Sequence, residues 1–240
     1  MHRPISIYYL FILTPLLNCI SYNEYYRLLD SAPYVDYCSD QTIPLPDKQL
    51  AFSLKGAMSM ATVDSDTSIR LSIVGGGLHI NFSRSIGMSF NGTSLFNNDH
   101  YFYGSIKARY WLHKKNLYFA PTVGLSAGSG AVGPLGDIRC TPALFITLKR
   151  PSYWYLAPRI TLLSYPTRIE AGIIPIIDYE LAAVWSISSG FNIKMWEKSS
   201  ADHVYNIMFA PEISLSTTYE PDTGFYIKIL CIAFYLSVVL

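Results

Sequence analysis

Phe102-Tyr103-Gly104-Ser105-Ile106-Lys107-Ala108-Arg109-Tyr110-Trp111-Leu112 is followed, after His113-Lys114-Lys115-Asn116, by Leu117-Tyr118-Phe119-Ala120-Pro121-Thr122-Val123-Gly124-Leu125-Ser126, and this stretch decides the fold. In the first run Phe102, Gly104, Ile106, Ala108, Tyr110 and Leu112 fall on one face, and Tyr103, Ser105, Lys107, Arg109 and Trp111 on the other. Successive side chains of a strand point to opposite sides, so the run reads as a strand with one apolar and one polar side. The second run repeats the alternation, and the short link between them makes a tight hairpin.

The pattern recurs along the chain. Phe119-Ala120-Pro121-Thr122-Val123-Gly124-Leu125 is echoed by Leu156-Ala157-Pro158-Arg159-Ile160-Thr161-Leu162 and by Phe209-Ala210-Pro211-Glu212-Ile213-Ser214-Leu215. Each copy follows a short basic segment: Lys114-Lys115, Lys149-Arg150-Pro151, or Lys194 to Lys198. Repetition by hairpin is what antiparallel strands around a barrel produce. Proline removes a ladder donor, and its early place in each copy predicts a position near the rim, where pairing starts.

Period-two segments at 50–61, 68–82, 86–95, 100–112, 117–128, 141–149, 153–163, 180–195, 204–217 and 225–239 give about ten strands. The count falls to eight if the poorly alternating 50–61 and 86–95 runs do not span. Most match or exceed the roughly 9–11 residues that a tilted strand needs to cross a bilayer. Short, mostly basic connections (Ser83 to Ser85, His113 to Asn116, Arg150 to Ser152, Trp196 to His203) alternate with others that include the longest loops, Ser129 to Arg139 and Ser164 to Tyr179. The expected fold is all-β: a closed antiparallel transmembrane β-barrel over 50–240, with both ends on the short-turn side.

Composition agrees. Charged residues are 15% of the 240, against roughly 25% in soluble domains, and 19 residues are Tyr, the side chain suited to interfacial girdles. The net charge is +1 and no basic run exceeds His113-Lys114-Lys115, so no nucleic-acid partner is expected. His2 and Arg3 followed by the apolar Ile5 to Leu17 read as a secretory signal over 1–21. Two processing routes stay open: cleavage before Tyr22, or a lipobox-like Leu16-Leu17-Asn18-Cys19 with Cys19 as the lipidation candidate. Residues 22–49, Tyr-rich and broken by Pro33, Pro44 and Pro46, read as an extended periplasmic N-terminal segment. Cys19, Cys38, Cys140 and Cys231 are too scattered for a zinc site or a disulfide framework; a Cys38–Cys140 bridge after export is the pairing considered.

Ile229 to Leu240 is nearly all apolar but too short for the roughly 20 residues of a membrane helix. Gly224-Phe225-Tyr226-Ile227-Lys228, just before it, echoes Gly190-Phe191-Asn192-Ile193-Lys194, which favours a last strand. On the alternation, the aromatics and that terminal strand, the chain resembles the small bacterial outer-membrane β-barrel proteins, whose last strand ends the chain and guides assembly. It departs from them at Leu240, where that class usually ends in Phe or Trp. The resemblance implies a location in the bacterial outer membrane, with outer-membrane lipids and the barrel-assembly machinery as partners, and a monomer.

Chemistry-bearing constellations are scarce. His79, His100, His113 and His203 show no metal-ligand spacing, and Gly75-Gly76-Gly77 lies inside an apolar run with no following helix, which reads as close packing rather than a phosphate loop. No cofactor is expected. Lys107, Arg109, Arg159 and Glu212 lie on polar strand faces, which a membrane barrel turns inward, making them candidate lumen charges. They read as a pairing network that fills the lumen or as the lining of a narrow pore. The expected function is a non-enzymatic integral outer-membrane protein with an envelope-structural, surface-interaction or narrow-pore role. Two alternatives are a soluble or lipid-anchored periplasmic or surface β-barrel or β-sandwich, and a lipid-modifying barrel enzyme built on residues such as Asp99-His100. The faces decide between membrane and water: an apolar exterior means a membrane barrel, an apolar lumen a soluble carrier.

Overall fold

The computed structural model describes residues 22–25, 49–63, 67–83, 85–96, 100–129, 134–149, 152–171, 176–199, 204–220 and 224–240. The signal segment, Cys19, Cys38 and Asp99 lie outside them. In chain order the strands are β1 Tyr22–Tyr25, β2 Leu50–Val63, β3 Thr67–Asn81, β4 Ile86–Phe96, β5 His100–Tyr110, β6 Leu112–Lys114, β7 Leu117–Ser129, β8 Pro134–Lys149, β9 Ser152–Ala171, β10 Ile176–Ser199, β11 Val204–Glu220 and β12 Phe225–Val239. β5 and β6 form one spanning strand interrupted at Trp111, whose amide donates to Ser85 O at 2.7 Å.

Each spanning strand pairs antiparallel with the next, and β12 pairs with β2 from Ile227↔Val63 to Val239↔Ala51. That last ladder closes a ten-strand barrel. Both weakly alternating runs span and are paired on each side, β2 by β12 and β3, β4 by β3 and β5, which removes the eight-strand alternative. Ile229 to Val239 belongs to β12, and no helix among the described residues is long and apolar enough to cross a membrane.

The two faces of the wall differ in the membrane sense. Phe52, Leu54, Ile106, Val123, Leu162, Ile187, Leu215 and Phe234 are among the large apolar residues exposed on the exterior. Their in-strand neighbours, such as Lys55, Lys107, Thr122, Arg159, Ser188 and Ser214, are buried inside. In water so wide an apolar surface is untenable, since each Leu-sized side chain gains roughly 1.5–3 kcal/mol on leaving it. Surrounded by hydrocarbon, the same surface is the stable one.

Several sequence expectations change in detail. The two longest expected loops are mostly strand: β8 already begins at Pro134, β9 continues to Ala171 and β10 begins at Ile176. Trp196 to Ser199 likewise belongs to β10. The connections therefore no longer sort by length. The asymmetry lies in strand length instead, with 20 and 24 residues in β9 and β10 against 11 in β4 and in β5. Alternation is weak at 164–171 because Arg168, Asp178 and Glu180 show that the β9–β10 hairpin has left the apolar belt there.

The prolines sit inside the strands rather than at the rim. Pro121 pairs with Pro142. The β8–β9 ladder is interrupted between Cys140↔Ile160 and Leu144↔Leu156, the interval that holds Pro142 and Pro158. The β10–β11 ladder is likewise interrupted between Gly190↔Glu212 and Ile193↔Phe209, around Pro211. A missing donor is tolerated where the partner strand gives up its pairing at the same level.

Candidate functional site

The lumen is the site, and period two places its residues. Lys107, Arg109, Arg159 and Glu212, read from the sequence as candidate lumen charges, are all inward and at most 4% exposed. Lys107 pairs in register with Ser89 and Gly124, and Arg109 with Gly87 and Thr122. Arg109 also stacks over Trp111, its guanidinium carbon 5.5 Å from the ring centroid. Arg159 reaches Ser186 Oγ at 3.5 Å. Glu212 Oε2 accepts from the Tyr155 hydroxyl at 2.5 Å.

That last bond crosses a strand. Tyr155 is on β9 and Glu212 on β11, with Gly190 of β10 in register with both. A Cβ on Gly190 would lie 2.5 Å from the Tyr155 oxygen and from Pro211 O, so only glycine leaves the path open. The same logic accounts for Gly75 and Gly77, where a Cβ would collide with Gly92 O and with the Asn91 side chain. Close packing is what this triplet serves.

A buried ion pair was hidden from sequence reading because it falls in the segment expected to be a loop. Arg139 holds Asp137 in a fork, Nε to Oδ1 at 2.7 Å and Nη2 to Oδ2 at 2.9 Å, with both side chains at most 2% exposed. Ser126 Oγ donates to Asp137 at 3.1 Å, and Arg139 also donates to the Tyr103 hydroxyl and lies over its ring. A bidentate guanidinium–carboxylate pair with further hydrogen bonds around it is the form in which buried charge is tolerable. Lys55 and His79 were also missed. Lys55 sits over Tyr235, 5.7 Å from the centroid, and His79 Nε2 is 2.9 Å from Ser53 Oγ. Among the described residues the buried lumen thus carries Lys55, Lys107, Arg109, Arg139 and Arg159 against Asp137 and Glu212.

No family model matches the chain. No curated protein sequence matches it. Among solved structures it is similar to Neisserial surface protein A (12% identity, TM-score 0.39, covering 78% of this chain and 95% of that one). It is similar also to the attachment invasion locus protein Ail of Yersinia pestis (8%, 0.35, 81% and 99%) and to the N-terminal β-barrel domain of Pseudomonas aeruginosa OprF (11%, 0.27, 80% and 99%). The barrel assignment rests on the ladders and on the two faces rather than on these likenesses.

The ends of the lumen differ. Towards the short turns, Trp111, Phe145, Tyr153 and Tyr155 pack together over Ala120, Ala143 and Ala157. Ring centroids are 5.4 Å apart for Trp111–Phe145 and for Phe145–Tyr155. Two copies of the Ala-Pro repeat contribute here: the alanine makes inward room for the rings while the proline points out. Many tyrosines expected in the girdles are inside instead, Tyr103, Tyr153, Tyr155, Tyr165 and Tyr235 among them; the Tyr103 hydroxyl meets Arg139 and that of Tyr155 meets Glu212. Tyr219 and Tyr226 stay outside as a pair with centroids 5.4 Å apart. Cys140 is a free thiol on the outer face, so the Cys38–Cys140 bridge does not form. Cys231 faces the lumen and is disulfide-bonded.

Proposed function

We propose that the chain is an integral outer-membrane β-barrel whose lumen is packed shut and whose role is non-enzymatic interaction at the cell surface. The observation that carries this reading is the apolar exterior around a polar, side-chain-filled interior. The strand lengths support the surface role. β9 and β10 remain paired up to Ile176↔Glu170, well past the roughly 9–11 residues needed to span. Beyond the belt this hairpin carries Arg168, Asp178 and Glu180, with Arg168 and Asp178 3.8 Å apart. A rigid polar ribbon standing clear of the bilayer is suited to meeting a partner, and lipids are the partners of the belt below.

Extraction tests the membrane part. The protein should stay with envelopes through carbonate and urea washes and leave only with detergent; release by urea alone would sink the reading. An epitope inserted at 172–175 tests the surface part and should be reached by antibody on intact cells. Detection only after permeabilisation would refute that part alone.

A further inference from the structure

The apolar belt has a sharp upper edge on the outward side of β11, β12 and β2. On β12 the outward residues from Leu230 to Val238 are all apolar, and Lys228 is the first polar one beyond them. On β2 the apolar run ends at Met60 and Thr62 follows; on β11 it ends at Leu215 and Thr217 follows. The three polar residues stand side by side, Thr217 in register with Lys228 and Lys228 with Thr62. Trp185 of β10 completes the row opposite Thr217. One step beyond, Tyr219 and Tyr226 pair in register on the same face. Aromatic rings and long cations gather where hydrocarbon meets headgroups, so the row marks that boundary. It lies at the end away from the short turns, which with those turns in the periplasm is the outer leaflet.

At this edge the outer surface is not flush. A groove of about 560 Å³ runs between Trp185 and Ile187 on one side and Lys228, Leu230 and Met60 on the other. Side-chain size explains it. Thr217, on the strand between, is short, and it is flanked in register by the indole of Trp185 and the long chain of Lys228. The next row down, Ile187, Leu215, Leu230 and Met60, is wholly apolar. The volume falls within the roughly 300–1,000 Å³ of pockets that hold one small molecule. Because the groove faces the bilayer, what enters it is a lipid and not a solute from water.

Charge says which lipid. Among the described residues no carboxylate forms an ion pair with Lys228. Thr62 Oγ1 donates to the Lys228 carbonyl at 3.3 Å, so that hydroxyl is spent on the strand, while Thr217 lines the groove. A cation at the edge of hydrocarbon is stabilised by reaching the headgroups, and most by an anion there. An ammonium group beside a hydroxyl, with apolar side chains directly below, matches a phosphate joined to an acyl chain.

We infer that this groove binds one anionic, phosphate-bearing membrane lipid, with its phosphate on Lys228 and Thr217 and an acyl chain along Ile187, Leu215 and Leu230. The inference rests on the membrane-barrel part of the proposed function and does not depend on what the β9–β10 hairpin meets.

Native mass spectrometry of the folded, full-length protein in a mild non-ionic detergent tests this, with dimyristoyl phosphatidic acid and dimyristoyl phosphatidylcholine as probes. Both carry the same chains, and only the first presents a bare phosphomonoester. The first phosphatidic acid should bind at a severalfold lower lipid concentration than the first phosphatidylcholine. Lys228→Gln should abolish that preference, and Lys198→Gln, exposed at the other rim, should leave it intact. Equal retention of both lipids by the wild-type chain, or an unchanged preference in Lys228→Gln, overturns the inference and leaves Lys228 as a cation that only reaches the headgroups. Loss of the preference in Lys198→Gln as well would mean diffuse attraction to positive charge, and would overturn the site too. Thr217→Phe reads the groove apart from the charge: filling its floor should weaken phosphatidic acid binding severalfold with Lys228 in place. Unchanged binding in that variant overturns the groove as the seat of the lipid. Each variant is checked for folding by its heat-dependent gel shift. A protein that urea alone releases from envelopes fails the membrane reading, whereas a detergent-extracted barrel with no lipid preference fails only the groove.

Discussion

The inner wall built by β5, β8 and β9 and the wall built by β10, β11, β12 and β2 belong to one lumen, yet they solve burial in opposite ways. The first is crowded with long polar and aromatic side chains, Lys107, Arg109, Arg139, Tyr155 and Arg159; Arg139 holds Asp137 on its own strand, and Tyr155 reaches past β10 to Glu212. The second has more small residues, although Lys55 and Tyr235 also lie on it. Ser188 and Ser214 meet at 2.8 Å, as do Ser186 and Ser216. A polar lumen can be filled by its own side chains where these are long. Where they are short, as at Ala57, Ala61, Cys231 and Ala233, larger side chains such as Tyr103, Leu163 and Tyr165 of other strands share the same buried cluster.

The largest effect expected from perturbing this contrast is on the crowded wall. Asp137→Ala removes the carboxylate that Arg139 holds in its fork, while Arg139 stays buried. Removing one partner of a buried ion pair costs about 3–5 kcal/mol. Equilibrium unfolding of protein reconstituted in lipid vesicles should show a loss of that size. A loss below about 1 kcal/mol, the range of exposed pairs, would mean that water reaches this wall and that the contrast is not one of burial.

The small-residue wall makes an intermediate prediction. Ser214→Trp adds a large ring where Ser188 and Cys231 lie in register. Ser214 is already buried, so the ring overpacks the lumen, and a destabilisation of about 1–3 kcal/mol is expected by the same unfolding measurement. No loss of stability would show that this wall has free space in front of it.

The exterior was legible in the sequence because lipid imposes a simple rule on it: every second residue is apolar across the belt. The run from Phe102 to Leu112 states that rule in full, and so the barrel and the inward place of Lys107, Arg109, Arg159 and Glu212 could be read directly. The interior obeys no such rule. Which charge meets which partner depends on register across strands distant in the chain, as with Tyr155 and Glu212, which lie 57 positions apart. The Asp137–Arg139 pair was obscured by Pro134 and Gly136, turn-forming residues that here lie within a paired strand. The ends of β9 and β10 escaped notice for another reason, since outside the belt nothing requires alternation.

That same hairpin provides the reference for the smallest effect. Arg168 and Asp178 carry the same two kinds of group as Arg139 and Asp137, but they are 3.8 Å apart and their side chains are 32% and 55% exposed. Water and salt screen such a pair, and fixing two mobile side chains offsets much of the attraction. Asp178→Ala should therefore shift stability by about 0–1 kcal/mol, and the shift should fade as salt is raised. The Asp137→Ala loss should change little with salt, because ions do not enter a packed lumen. Running both variants through one salt series separates the contributions of distance and of burial. If Asp137→Ala lost its effect at high salt in parallel with Asp178→Ala, the crowded wall would be wet, and the cations on it would be a pore lining instead of a packed network.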